Sequence, residues 1–76
     1  MDDLTKRVLG SFEHWNKDTL DLHTLFEAGG NDTAARTRVF DIVEQLVKDG
    51  LLEELGNDFY SLTEKGTKAI KVMSDE

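Results

Sequence analysis

Two histidines, His14 and His23, carry the side chains best suited to metal binding or proton transfer, and the chain has no cysteine. They lie nine residues apart on different predicted elements, without the His-x-x-x-His spacing of a helical metal site. A metal site needs several ligands brought together, and a nucleophilic serine needs a base within hydrogen-bonding reach. Ser11, Ser61 and Ser74 have no histidine at such a spacing. The sequence therefore predicts no catalytic residue, no metal site and no cofactor.

The net charge of the chain limits its partners. Its 76 residues include 16 acidic and 9 basic side chains, for a formal net charge of −7. Binding to nucleic-acid phosphates depends largely on Lys and Arg. The composition therefore argues against a protein that binds nucleic acid through a predominantly positive surface.

The length predicts one small domain, because a single domain usually has roughly 100–200 residues. We expect it to span residues 1–76, with an ordered core over about residues 3–73. No apolar run is long enough for a membrane span or a secretory signal segment, and the absence of cysteine excludes disulfides. A cytoplasmic location is the expectation.

The spacing of apolar residues predicts four helices, a short strand and a hairpin. In chain order we expect a helix over 3–15 capped by Asp2 or Asp3, a strand over 19–22, a short helix over 23–28, a long helix from Asn31 or Asp32 to Asp49, β-prone runs over 51–55 and 59–62, and a helix from Thr63 to about residue 73. Gly50 ends the long helix, and Gly56-Asn57-Asp58 forms the hairpin turn.

We assign five aromatic side chains to the core: Phe12, Trp15, Phe26, Phe40 and Tyr60.

The long helix is the strongest signal in the sequence. Its apolar residues recur at three- and four-residue steps and predict a buried face made of Ala35, Val39, Ile42, Val43, Leu46 and Val47. The opposite face is available to a partner and carries Ala34, Thr37, Arg38, Asp41, Glu44, Gln45 and Lys48.

The order of the elements and two segments of the chain resemble a winged helix-turn-helix domain. Residues 39–54, VFDIVEQLVKDGLLEE, resemble the end of a recognition helix that continues through a glycine into the wing. Residues 59–70, FYSLTEKGTKAI, resemble the returning strand and the Leu-Thr-x-x-Gly start of the next helix. The resemblance covers nearly the whole chain and is to small bacterial, archaeal and phage regulators of the multiple-antibiotic-resistance and phenolic-acid-regulator kind. It implies an α+β, mostly helical fold with a three-helix core, a short strand, a two-stranded wing hairpin and a C-terminal helix.

The resemblance also implies a DNA-binding transcriptional regulator, whose third helix enters the major groove of double-stranded DNA. The residues that it places toward DNA are Thr33, Ala34, Arg36, Thr37, Arg38 and Asp41. Arg38 has the chemistry for a bidentate contact with guanine, and Thr37 for a contact with a phosphate or a thymine methyl group. Two interpretations of Arg36 stay open: a phosphate contact, or a stem packed on the core with its head in solvent.

Wings that contact DNA usually carry Arg or Lys at the tip, whereas the expected wing of this chain is acidic. Residues 51–62 hold Glu53, Glu54 and Asp58 and no basic residue, so phosphates would repel this segment. DNA binding then requires basic residues to converge on one face that is free of carboxylates. The required set is Arg36, Arg38 and at least two of Lys6, Arg7, Lys17 and Lys48.

A second function is compatible with the same fold. A winged helix with an acidic wing can serve as a protein-interaction module that does not bind DNA. Such a module would offer Phe40 and the exposed face of the third helix, or pair through the last helix around Ile70 and Met73. A homodimer through the first or last helix is compatible with both functions.

Overall fold

A computed structural model of the chain describes residues 3–30 and 32–74. It is an α+β protein with four helices and a three-stranded antiparallel sheet. The elements are α1 (Asp3–His14), β1 (Thr19–Asp21), α2 (Leu22–Phe26), α3 (Thr33–Lys48), β2 (Leu52–Gly56), β3 (Phe59–Leu62) and α4 (Glu64–Ser74). The bounds agree with the sequence-based prediction to within two residues. Leu22, predicted to end β1, begins α2, and Gly56, predicted to lie in the turn, still belongs to β2.

The core is built from the apolar faces of the helices, closed on one side by the sheet. Each helix buries side chains three or four positions apart, because these positions share one face of an α-helix. The buried cluster comprises Val8, Leu9, Phe12, Leu20, Leu25, Val39, Val43, Leu46, Leu51, Leu52, Tyr60 and Ile70. Within residues 3–30 and 32–74, no helix is both long and apolar enough to cross a bilayer.

Local chemistry explains where α3 begins and ends. The Asp32 carboxylate accepts a hydrogen bond from the Ala35 amide at 2.7 Å, which confirms Asp32 as the N-cap. At the other end Gly50 has φ +80°, a left-handed conformation that a glycine adopts without steric cost. The alternative caps Asn31 for this helix and Asp2 for α1 lie outside the described residues.

The hairpin is the predicted one, but it carries a third strand. Asn57 and Asp58 both have positive φ, 53° and 65°, as the tight turn between β2 and β3 requires. β1 pairs antiparallel with β3, with Leu20 opposite Tyr60, so the strand order is β1-β3-β2. The sequence analysis predicted a short strand and a two-stranded hairpin and did not predict that they pair.

Thr63 joins the start of α4 to the end of α3. Its hydroxyl lies 2.6 Å from the Gly50 carbonyl oxygen and 3.0 Å from that of Leu51, and it accepts a hydrogen bond from the Gly66 amide at 3.1 Å. The predicted N-cap is therefore confirmed, and it also fastens α4 to the loop that precedes the hairpin.

Two of the five aromatic residues assigned to the core are exposed. Trp15 is 47% exposed because α1 ends at His14, so the side chain of residue 15 no longer lies on the helical face that carries Phe12. Phe40 is 39% exposed because it lies about 100° around α3 from the buried Val39. The core assignment was wrong for these two residues.

Candidate functional site

The candidate surface is the outer side of α3. The core holds this helix from one side through Ala35, Val39, Val43 and Leu46. All six residues that the sequence analysis singled out are exposed: Thr33, Ala34, Arg36, Thr37, Arg38 and Asp41. The periodicity predicted this exposure for Ala34, Thr37, Arg38 and Asp41, whereas Thr33 and Arg36 were named by the resemblance alone.

The two arginines lie on opposite flanks of α3. Residues two positions apart on an α-helix are separated by about 200°, so Arg36 and Arg38 do not share a face. Going around the exposed side from Arg36 to Arg38, the helix presents Thr33, Thr37 and Ala34. The required convergence of both arginines on one face is therefore absent; they border a strip of small side chains.

Arg36 leans toward α2. Its guanidinium carbon lies 5.9 Å from the centroid of the Phe26 ring, which is within range of a cation–π contact. The residue remains exposed, so the stacked guanidinium still presents donors to solvent. The guanidinium of Arg36 thus rests on an aromatic ring with its other side open to solvent, and a phosphate contact stays a prediction.

The first half of α3 differs in charge from the second half. Between Thr33 and Phe40 the helix carries two arginines and no carboxylate, and the Asp32 carboxylate before it caps the Ala35 amide. The second half adds Asp41 and Glu44 on its exposed side. The start of the helix is therefore basic and the remainder acidic.

A groove of about 420 Å³ lies between the second half of α3 and the hairpin. It is lined by Phe40, Glu44, Val47, Lys48, Glu54, Asp58 and Tyr60, and we call it the acidic groove. The Tyr60 hydroxyl donates a hydrogen bond to the Glu54 carboxylate at 3.3 Å. Burial raises the pKa of Tyr60 above its usual value, and the charges of Glu54, Asp58 and Glu44 add to this effect.

The sequence analysis did not identify the acidic groove, although one signal was available. Glu54 lies two residues after the buried Leu52, and alternate residues of a strand share a face. That pattern places Glu54 on the side of the hairpin that faces α3. The contribution of Glu44 could be found only once α3 and the hairpin were packed together.

Two of the other predicted basic residues line separate grooves, and Lys6 lies half-buried on α1. Arg7 lines a groove between α1 and α2, together with Trp15 and Glu27. Lys17 lines another, beside Leu62 and Ile70. Of the four basic residues proposed as helpers, Lys48 lies on α3 itself, but it borders the acidic groove.

The lysines of α4 are partly engaged in local contacts. Lys65 donates a hydrogen bond to the Asp49 carbonyl oxygen at 2.9 Å, and Lys68 lies 3.8 Å from the Glu64 carboxylate.

In the part of the chain that the structure describes, no three His, Cys, Asp or Glu side chains form a group that could hold a metal ion.

No protein-family model, curated protein or solved structure matches the chain.

Proposed function

We propose that the protein is a winged-helix DNA-binding regulator that contacts DNA with the first half of α3. The order of four helices and a hairpin supports this proposal, as does the exposure of the residues that the resemblance placed toward DNA. The proposal departs from the expectation that Arg36, Arg38 and further basic residues converge on one face, and it relies on the two flanking arginines instead. One observation carries it: Thr33, Ala34 and Thr37 form a strip of small side chains bordered by Arg36 and Arg38.

The arrangement suits a helix that enters the major groove by its N-terminal end. Small side chains allow the helix to approach the base edges closely, and Thr37 contacts a thymine methyl group or a phosphate. The arginines on the two flanks reach the two sides of the groove. Arg38 contacts guanine or a phosphate on one side, and Arg36 contacts a phosphate on the other.

The hairpin takes no part in DNA binding under this proposal. The charged side chains of the hairpin are all negative, and phosphates repel them at short range; they are Glu53, Glu54 and Asp58. Two phosphate contacts predict a logarithmic salt slope of about −2, since each contributes about −0.9. Binding by one copy is therefore weak, and a dimer on paired half-sites doubles the contacts.

The test is a titration of duplex DNA at about 50 mM salt, followed by amide NMR shifts. We expect shifts from Thr33 to Asp41, and Arg38→Gln to weaken binding by about 1–3 kcal/mol at its cognate site. Arg36→Gln should weaken binding to all sequences alike and make the salt slope shallower by about 1.

Lys68→Gln on α4 is the matched control, because it removes one positive charge from a side chain that is 74% exposed. We expect it to leave DNA affinity nearly unchanged. Equal losses in all three variants would reduce the effect to net charge, and a lack of any shift at high micromolar DNA would rule out this function.

The alternative is the same fold used as a protein-interaction module without DNA binding. The observation that favours it is the acidic groove, because it occupies the junction of α3 and the hairpin, where a DNA-binding winged helix needs positive charge. A negative result in the DNA titration, together with binding of a protein partner at this junction, would establish it.

A further inference from the structure

The acidic groove is the surface feature that the proposed DNA contact leaves unused. It lies beside the second half of α3, whereas the proposed contact uses the first half. Its walls come from two elements that are distant in sequence, α3 and the hairpin, and they enclose about 420 Å³.

The groove offers apolar area as well as charge. Phe40 is 39% exposed on one wall, and the half-buried Val47 lies about two turns further along the same helix. Tyr60, only 3% exposed, contributes from β3. A partly uncovered phenylalanine at the edge of a groove is a typical anchor for an apolar side chain of a partner.

The charges of the groove indicate what kind of partner fits. Glu44, Glu54 and Asp58 line it, against the single positive charge of Lys48. These carboxylates repel nucleic acid and attract cationic side chains. The net charge of −7 also favours a basic partner and disfavours a second copy of this chain.

We propose that the acidic groove binds a basic segment of another protein, with lysine or arginine side chains toward its carboxylates and an apolar side chain against Phe40. The segment is short, because the groove accommodates only a few side chains. This inference is independent of the proposed DNA contact, since the two surfaces share no residue.

The probe for this site is a ten-residue peptide of alternating lysine and leucine, with an alternating glutamate and leucine peptide as its control. Both are titrated into the protein and followed by amide NMR shifts. We expect only the lysine peptide to bind, with shifts at Phe40, Glu44 and Tyr60 and an affinity that falls with added salt.

Two triple variants distinguish the effect of the groove carboxylates on peptide affinity from the effect of the net charge. The triple variant Glu44→Gln, Glu54→Gln and Asp58→Asn should weaken binding of the lysine peptide by about tenfold or more. Asparagine suits position 58 because it tolerates positive φ. The control triple variant Glu27→Gln, Glu53→Gln and Glu64→Gln removes the same charge elsewhere and should change affinity less than twofold.

Two phenylalanine variants test the apolar contact. Phe40→Ala should weaken binding of the lysine peptide severalfold, by the loss of buried apolar area. Phe59→Ala is the control, because Phe59 is similarly exposed but does not line the groove. We expect its affinity to match that of the unmodified protein.

Several outcomes would overturn the proposal. These are an equal loss in the two triple variants, an equal loss in the two phenylalanine variants, or no binding of the lysine peptide at millimolar concentration. Shifts at Glu44, Glu54 and Tyr60 on titration with duplex DNA would assign the groove to nucleic acid instead. Concentration-dependent shifts there without any peptide would assign it to a second copy of the chain.

Discussion

The Tyr60 hydroxyl reports on the charge of the acidic groove. Burial and the nearby carboxylates hold the pKa of Tyr60 above that of a free phenol. A raised pKa means that folding favours the neutral phenol. The resulting stability is fully present below the unfolded value of about 10 and is lost as pH rises through the folded value.

We expect Glu54→Gln to lower the pKa of Tyr60 toward its usual value, because the variant keeps a hydrogen-bond acceptor and removes the negative charge that contacts the hydroxyl. Ultraviolet absorbance of the phenolate measures this directly, since Tyr60 is the single tyrosine of the chain. Glu53→Gln, one position earlier on β2, should leave the pKa of Tyr60 unchanged. Identical titration curves for the two variants would contradict the geometry of the groove.

At the level of secondary-structure elements, α4 depends on a glycine for its close approach to the rest of the fold. A methyl group at Gly66 would meet the Leu51 carbonyl oxygen and would lie 2.8 Å from Leu62 Cδ1. Gly10, inside α1, has nothing within 4 Å of the same position. Two glycines in helices therefore have opposite roles.

We expect Gly66→Ala to destabilise the protein by about 1–3 kcal/mol or more, because α4 must move away from Leu51. Gly10→Ala should instead stabilise it by about 0.5–1 kcal/mol through higher helix propensity. Urea unfolding of both variants measures the difference. A stabilising Gly66→Ala would mean that α4 is not seated against the loop before β2.

The division of α3 into a basic first half and an acidic second half also belongs to this level. One helix thereby serves two proposed surfaces with partners of opposite charge. Arg36 and Arg38 attract phosphate at its start, while Glu44 borders a groove suited to cations. The two proposed activities should therefore be separable by mutation.

At the scale of the whole molecule, the charges that make up the net charge of −7 lie close together, because the protein is small. The protein measures only 31 × 27 × 22 Å. At about 0.01 M salt the screening length is about 30 Å, so every charge interacts with every other, and at about 1 M it falls to about 3 Å. Repulsion among excess carboxylates therefore destabilises the fold chiefly at low salt.

We expect the thermal midpoint to rise by several degrees when NaCl increases from about 0.01 M to about 1 M. The control triple variant of Glu27, Glu53 and Glu64 has a net charge of −4 and should show a smaller rise. Salt acts in the opposite sense on the proposed DNA and peptide complexes, which it weakens. An equal rise in both proteins would attribute the effect to hydration of apolar groups rather than to charge.

Spacing along the chain was sufficient for the helices and the hairpin, since their signals are local. Apolar steps of three and four placed α3, the Asp32 carboxylate and Gly50 set its ends, and Asn57-Asp58 lay in the predicted turn. The exposure of Ala34, Thr37, Arg38 and Asp41 on α3 followed from the same periodicity.

Contacts between distant parts of the chain were decided only by packing. The pairing of Leu20 with Tyr60 and the position of Glu44 beside the hairpin depend on how separate elements meet. Periodicity specifies which face of an element is buried, because that depends on backbone geometry alone. It does not specify which other element covers that face, because this depends on shape and volume summed over the whole core.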